Sequence, residues 1–169
     1  MYVGGKISGN RPKIGTADKR IDVYCDTFEA GNGGEIYGDL YIFDESNAGA
    51  TIKGNIHGNV YYMGTGNISF ENANISGTLY TGGTITHTNN LTLNGATYGP
   101  SDSDADIMTN AGITAPTNPP TKEEVLADLP SLEDVQKVYA APDGSGNVYN
   151  AWAYKTTGAA GSEVYTPYT

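Results

Sequence analysis

The chain has 169 residues, enough for one domain with an appendage, and its 23 Gly and 13 Tyr against 3 Phe and 1 Trp favour strands and turns over packed helices. Nine Lys and Arg against 19 Asp and Glu give a net charge of −10, which argues against nucleic acid and anionic membrane surfaces as partners. The single cysteine, Cys25, excludes an intrachain disulfide and a thiolate zinc cluster, and no apolar run approaches the roughly 20 residues that span a bilayer.

Met1-Tyr-Val-Gly-Gly lacks the apolar core of a signal peptide, and a strand-like segment, Ile7-Ser-Gly-Asn10, follows almost at once, as expected of a fragment cut from a longer chain. Ile7-Ser-Gly-Asn10 matches the first four columns of the repeat that begins at Ile36 and so fits an early coil, with a loop from Asn10 to Lys19. Ile21 to Tyr24 and Thr27-Phe28 fit its other strands, and Gly31 to Gly34 a turn. A repeat then begins. Ile36-Tyr-Gly-Asp-Leu-Tyr41 returns as Ile56-His-Gly-Asn-Val-Tyr61 and as Ile75-Ser-Gly-Thr-Leu-Tyr80, with starts 20 and 19 residues apart (56 − 36, 75 − 56). One copy is too short to bury an apolar face, so the copies must stack. Their apolar residues lie two or four apart, which is strand spacing.

These features predict an all-β fold: a right-handed parallel β-helix, three-sided, with about 19 to 21 residues per coil. Ala50, Ile52, Ile68, Phe70, Ile85, Leu91 and Leu93 are its further inward residues. Residues 1–100 form the β-helix with an irregular first coil, and 101–120 read as a polar, Pro-rich linker. Residues 121–169 read as a C-terminal cap packed on the β-helix. Thr121-Lys-Glu-Glu124 is a capping box opening a helix to about Leu129, which Pro130 ends. Ser131-Leu-Glu-Asp134 predicts a second helix to about Tyr139. Pro142 to Asn147 reads as a turn, Val148 to Tyr154 as a strand, and Val164, Tyr165 and Tyr168 as docking residues of the tail.

Strand alternation turns Tyr41, Tyr61 and Tyr80 outward, one per coil, so three phenol rings should form a ladder. Such a ladder can bind a protein or a glycan, or be covered by a C-terminal segment carrying Val125, Leu129, Leu132 and Trp152. Asp102, Asp104 and Asp106 alternate like the first ligands of a calcium loop, but Ile107 stands where the loop needs Gly and no closing Glu follows. Asp143, Ser145 and Asn147 share that spacing and that lack. His57 and His87 belong to no metal spacing and read as lone polar surface residues. Asn55, Asn59, Asn67, Asn72 and Asn74 read as coil-corner residues. Asn67, Asn74 and Asn90 open N-glycosylation sequons, which matter only in a secretory eukaryotic protein.

The run Ile52-Lys-Gly-Asn-Ile-His-Gly-Asn-Val60, within residues 36 to 98, resembles bactofilins, bacterial polymer-forming cytoskeletal proteins with a right-handed β-helix. That resemblance implies a scaffold that assembles through its ends. Similar β-helices occur in bacterial surface and adhesin-like proteins, and in polysaccharide lyases and hydrolases. The lyase-like resemblance calls for paired acids or an arginine base on one face. The coils from Ile36 to Tyr98 hold no arginine, and their acids are Asp39, Asp44, Glu45 and Glu71. The expectation is a non-catalytic structural or surface protein of bacterial type, at the cell surface rather than in the cytoplasm. It would have no cofactor and no nucleic-acid partner, would not insert in a membrane, and would bind a protein or glycan at one face or associate with itself.

Overall fold

A computed structural model describes residues 1–30, 33–129, 135–139, 150–156 and 164–167, with side chains in the first two ranges as far as residue 129 apart from Ala30. The chain divides into two units, Met1–Val125 and Leu126–Thr169. The first is a parallel β-solenoid of about five turns. Its strands are β1 (Tyr2–Gly9), β2 (Lys13–Ile14), β3 (Val23–Ala30), β4 (Gly34–Ile36), β5 (Leu40–Ile42) and β6 (Ala50–Ile56). They continue as β7 (Val60–Tyr62), β8 (Asn67–Ile75), β9 (Leu79–Thr81), β10 (Thr84–His87), β11 (Leu91–Leu93) and β12 (Ala96–Tyr98), followed by helix α1 (Asp104–Asn110). Helix α2 (Lys122–Ala127) comes next.

Three parallel ladders make the three-sided cross-section that the repeat predicts. One runs β2–β4–β6–β8–β11, a second β1–β3–β5–β7–β9, and the third joins the other halves of β1, β3, β6 and β8 to β10. Long strands thus turn a corner and serve two faces, with register shifts at Val3/Lys6 and Ile52/Gly54. The inward columns fill the core. Ile14, Ile36, Ile56, Ile75 and Leu93 form one, and Val23, Leu40, Val60 and Leu79 another. From Ile36, Leu40 and Val23 up to Leu93 these side chains are at most 4% exposed. Ile7 does not share the column of Ile36: it pairs with Phe28, and Ile14 holds the expected place. The local match of Ile7-Ser-Gly-Asn10 to the repeat carries no register of its own, because the hydrogen-bonded partner fixes the column.

Cys25 also points inward and is fully buried, its Sγ 3.7 Å from the Tyr41 carbonyl oxygen. Burial, with the Asp26 charge adding to it, pushes the thiol up to about 12. At pH 8 roughly one molecule in ten thousand would then carry a thiolate, so Cys25 should resist a disulfide reagent until the solenoid unfolds. Labelling at the rate of a free thiol in native protein would mean that β3 opens.

The stretch read as a linker caps the last coil. Ser103 stands at the N-cap of α1, Asp104 and Asp106 lie in its first turn, and Ile107 is completely buried in the solenoid core. Met108, Ala111 and Ile113 pack on the same core, and Thr114 forms a parallel bridge to Tyr80. The chain then returns along the solenoid. The α2 capping box forms as the sequence predicts, with the Thr121 N–H donating to Glu124 Oε2 at 2.8 Å and the Glu124 N–H to Thr121 Oγ1 at 3.2 Å. Lys122 Nζ reaches Asp26 Oδ1 at 2.8 Å and Glu45 Oε2 at 3.2 Å.

The second unit carries β13 (Val135–Tyr139), β14 (Asn150–Thr156) and β15 (Val164–Pro167) in an antiparallel sheet. This corrects the second predicted helix. Ser131 to Asp134 supplies a local helix-start signal, but Val135, Val138 and Tyr139 are strand formers, and pairing with β14 outweighs the cap. The Pro142 to Asn147 turn, Pro130, Leu132 and Tyr168 lie outside the described residues.

Candidate functional site

The outward column on the second face is the most regular feature of the molecule. Main-chain register aligns Tyr24, Tyr41, Tyr61 and Tyr80, one per coil, with Tyr2 below Tyr24. Ring centroids lie 4.6 Å apart for Tyr24–Tyr41, 4.5 Å for Tyr41–Tyr61 and 4.9 Å for Tyr61–Tyr80, with planes within 13° of parallel. Those spacings match the roughly 4.8 Å between neighbouring strands, so the backbone itself sets the stack. Tyr24 belongs to the ladder although the repeat does not reveal it. In its coil Val23 lies nine positions after Ile14 (23 − 14), whereas Leu40 lies four after Ile36 (40 − 36), so the motif is interrupted.

The rings are partly buried, and the stack decides which atoms are presented. Tyr41 and Tyr61 each have a ring on both faces and the Tyr61 hydroxyl already bonds Asn59 and Tyr41, so ring edges and the outer side of the hydroxyl row are what remain for a partner. A sugar ring stacks on an aromatic face, and the interior faces are already used. Burial raises Tyr41 far above the ordinary phenol value, with Tyr61 and Asp39 adding to the effect. Tyr61 is raised by burial first and by Asp39 second, so both stay neutral hydrogen-bonding groups through the physiological range.

A polar column runs two residues before the tyrosines. Asp22 Oδ1 accepts from the Asp39 N–H at 2.8 Å, Asp39 Oδ1 from the Asn59 N–H at 2.8 Å, and Asn59 Oδ1 from the Thr78 N–H at 2.9 Å. Each side chain satisfies the amide of the next coil at a corner where the ladder offers no main-chain acceptor. Among the predicted corner asparagines, Asn72 adopts left-handed backbone, as do Asn47 and Asn94, which the repeat does not single out.

The other acids of the regular coils are also engaged. Asp39 Oδ2 accepts from Asn59 Nδ2 at 3.2 Å, Glu45 pairs with Lys122 at 3.2 Å and Glu71 with Lys53 at 2.5 Å. Asp44 is 1% exposed and takes hydrogen bonds from Tyr62, Ser46, Ala48 and Gly49. Asp102, Asp104 and Asp106 do not adopt calcium-loop geometry, because α1 begins at Asp104 and breaks their alternation. Asp102 Oδ2 accepts from the Gly99 N–H at 2.6 Å, and Asp104 Oδ1 lies 2.5 Å from His87 Nδ1. Among the described residues no three His, Cys, Asp or Glu side chains gather as metal ligands would. Asp143, Ser145 and Asn147 lie outside the described residues.

Neither histidine is a lone surface residue. His57 stacks on Tyr37 at 4.0 Å, and its Nε2 is buried with no hydrogen-bond partner among the described residues. The His87 side chain is only 2% exposed. Of the residues expected to cover the ladder, Val125 is partly buried and Leu129 is 39% exposed, while the side chains of Leu132 and Trp152 lie outside the described residues. No family model, curated protein or solved structure matches the chain.

Proposed function

We propose that the chain is a non-catalytic structural or surface module of bacterial type, whose solenoid holds the edge of a tyrosine ladder out to a protein partner. The observation that carries this reading is the continuous stack from Tyr24 to Tyr80, a rigid row of hydroxyls and ring edges fixed at strand spacing. The bonding of the coil acids within the fold supports the non-catalytic part, since each of Asp39, Asp44, Glu45 and Glu71 already has a donor or a cation. Placement at a cell surface belongs to the same proposal.

A bactofilin-like scaffold is the second reading. Val3, Ile7 and Ile14 of the first coil are only partly buried and lie in line with the inward columns, so another chain could extend them. The last coil, closed by α1, could not be extended in the same way. A carbohydrate-binding or carbohydrate-active role is the third, and the occupied ring faces weigh against it.

The test removes the hydroxyls and keeps the stack. Tyr41→Phe, Tyr61→Phe and Tyr80→Phe combined should change unfolding free energy by only about 1 kcal/mol per site. Wild-type and triple-variant protein would be compared on bacterial cell-envelope protein fractions, on a glycan array and by sedimentation over a wide concentration range. Loss of roughly tenfold or more in retention on envelope protein alone supports the proposal. Equal retention of the two proteins would sink it. Concentration-dependent filaments would favour the scaffold, and glycan-array binding the third reading.

A further inference from the structure

His87 occupies a core position. Main-chain register places it in the inward column of Ile52 and Phe70, one residue per coil, at the last coil of the solenoid. Its Nδ1 lies 2.5 Å from Asp104 Oδ1 on α1, and its Nε2 lies 2.8 Å from the carbonyl oxygen of Gly99 in the turn before the helix. A carboxylate and a carbonyl only accept, so both ring nitrogens are required to donate. Only the imidazolium form does that. A neutral ring, in either tautomer, turns a lone pair toward one of the two oxygens. The charged groups that act on the ring are Asp104 from α1 and Asp102 from the turn, while its neighbour on β8, Phe70, is apolar.

We propose that His87 is a protonation-dependent latch that holds the α1 cap on the last coil and releases it as the ring loses its proton. The latch secures Ile107 in the core, Met108, Ala111 and Ile113 against it, and the Thr81 N–H on the Thr114 carbonyl at 2.8 Å. Lifting the cap uncovers Leu79 and Leu93 and the free edge of β9, the surface on which a further coil would stack. The Gly99 carbonyl raises the imidazole above its ordinary value of 6.5 and Asp104 reinforces it, while burial opposes them. A raised folded value sets the sign. The stabilisation is complete below the ordinary imidazole range and is lost as pH rises through the folded value. The closing equilibrium changes about tenfold for every pH interval of one between the ordinary and the folded value.

Backbone hydrogen exchange of the full chain, corrected for the intrinsic pH dependence of exchange, tests this at about pH 5.5 and about pH 8.5. The Thr81, Ala111 and Ile113 amides should lose roughly tenfold or more in protection at the higher pH, while Leu40 and Val60 on inner coils keep theirs. His87→Phe restores the apolar column and should flatten the pH response of the cap amides, and His87→Gln, with one neutral donor group, should flatten it too. If neither folds, Asp104→Asn serves, and it should at least halve the response on a logarithmic scale. A flat wild-type profile, an unchanged response in a folded variant, or an equal change at every amide would overturn the latch.

Discussion

Gly58→Ala is expected to cost about 3 kcal/mol or more of unfolding free energy, although it adds only a methyl group. A Cβ at Gly58 would lie 2.2 Å from the Gly38 carbonyl oxygen and 2.6 Å from Asp39 Oδ1. Neither atom is free to yield. Asp39 Oδ1 is held by the Asn59 N–H, and the segment around Gly38 is tied to its neighbours by the Ile21 N–H on the Tyr37 carbonyl and the Leu40 N–H on the Asn59 carbonyl. The same conflict recurs one coil on, where a Cβ at Gly77 would meet Asn59 Oδ1 at 2.5 Å and the Gly58 carbonyl oxygen at 2.7 Å. The glycine column of the repeat therefore marks the corner at which successive coils touch main chain to main chain. Gly82→Ala is the control, since its nearest neighbour would be Ala115 Cβ at 3.7 Å, and it should stay within about 0.5 kcal/mol of wild type. Urea unfolding of the three proteins checks the order. A Gly58→Ala protein as stable as the control would mean that the corner relaxes and that the column has another cause.

The parts of this fold that are legible in the sequence are those repeated once per coil. Ile36, Ile56 and Ile75 are aligned by spacing alone, and the structure pairs them in that register. The parts that occur once are not legible in the same way. Tyr24 is hidden by the additional residues between Ile14 and Val23, and only pairing with β5 reveals its place beside Tyr41. His87 resembles a surface residue because its column is otherwise apolar, and the cap that makes the position hospitable to a polar ring lies 17 residues further on at Asp104. Ser103 followed by Asp104 and Asp106 is a helix-start signal, which the competing alternation of acids obscures. Local signals fail at 131–139 for the opposite reason: a cap motif is present, but β14 supplies strand partners.

Asp44→Ala should be the second large loss, about 4 kcal/mol, because it strips one carboxylate from four donors at once. The Tyr62 hydroxyl donates to Asp44 Oδ2 at 2.5 Å and the Gly49 N–H to the same oxygen at 2.8 Å, while the Ala48 N–H and the Ser46 hydroxyl donate to Oδ1 at 2.9 Å and 3.2 Å. Tyr62 has no measurable exposure, so its hydroxyl has no route to water. Hydrogen bonding to Asp44 and burial both keep that phenol protonated, with burial the larger cause. Tyr62→Phe removes donor and need together and should cost only about 1.5 kcal/mol. Asp44→Asn separates charge from backbone strain, since asparagine tolerates the left-handed φ of 39° at this position better than alanine does. Pairing Asp44→Asn with Tyr62→Phe in a double-mutant cycle should give a coupling of about 1 to 3 kcal/mol. The consequence reaches α2. The loop that Asp44 folds also carries Glu45, which with Asp26 holds Lys122 and so positions the returning segment of chain. In the Asp44→Ala protein the protection of the α2 amides should therefore fall together with that of Ala48 and Gly49. Loss at Ala48 and Gly49 with α2 unchanged would show that Lys122 is held by Asp26 alone, and a cost below about 1 kcal/mol would mean that the four donors find other acceptors.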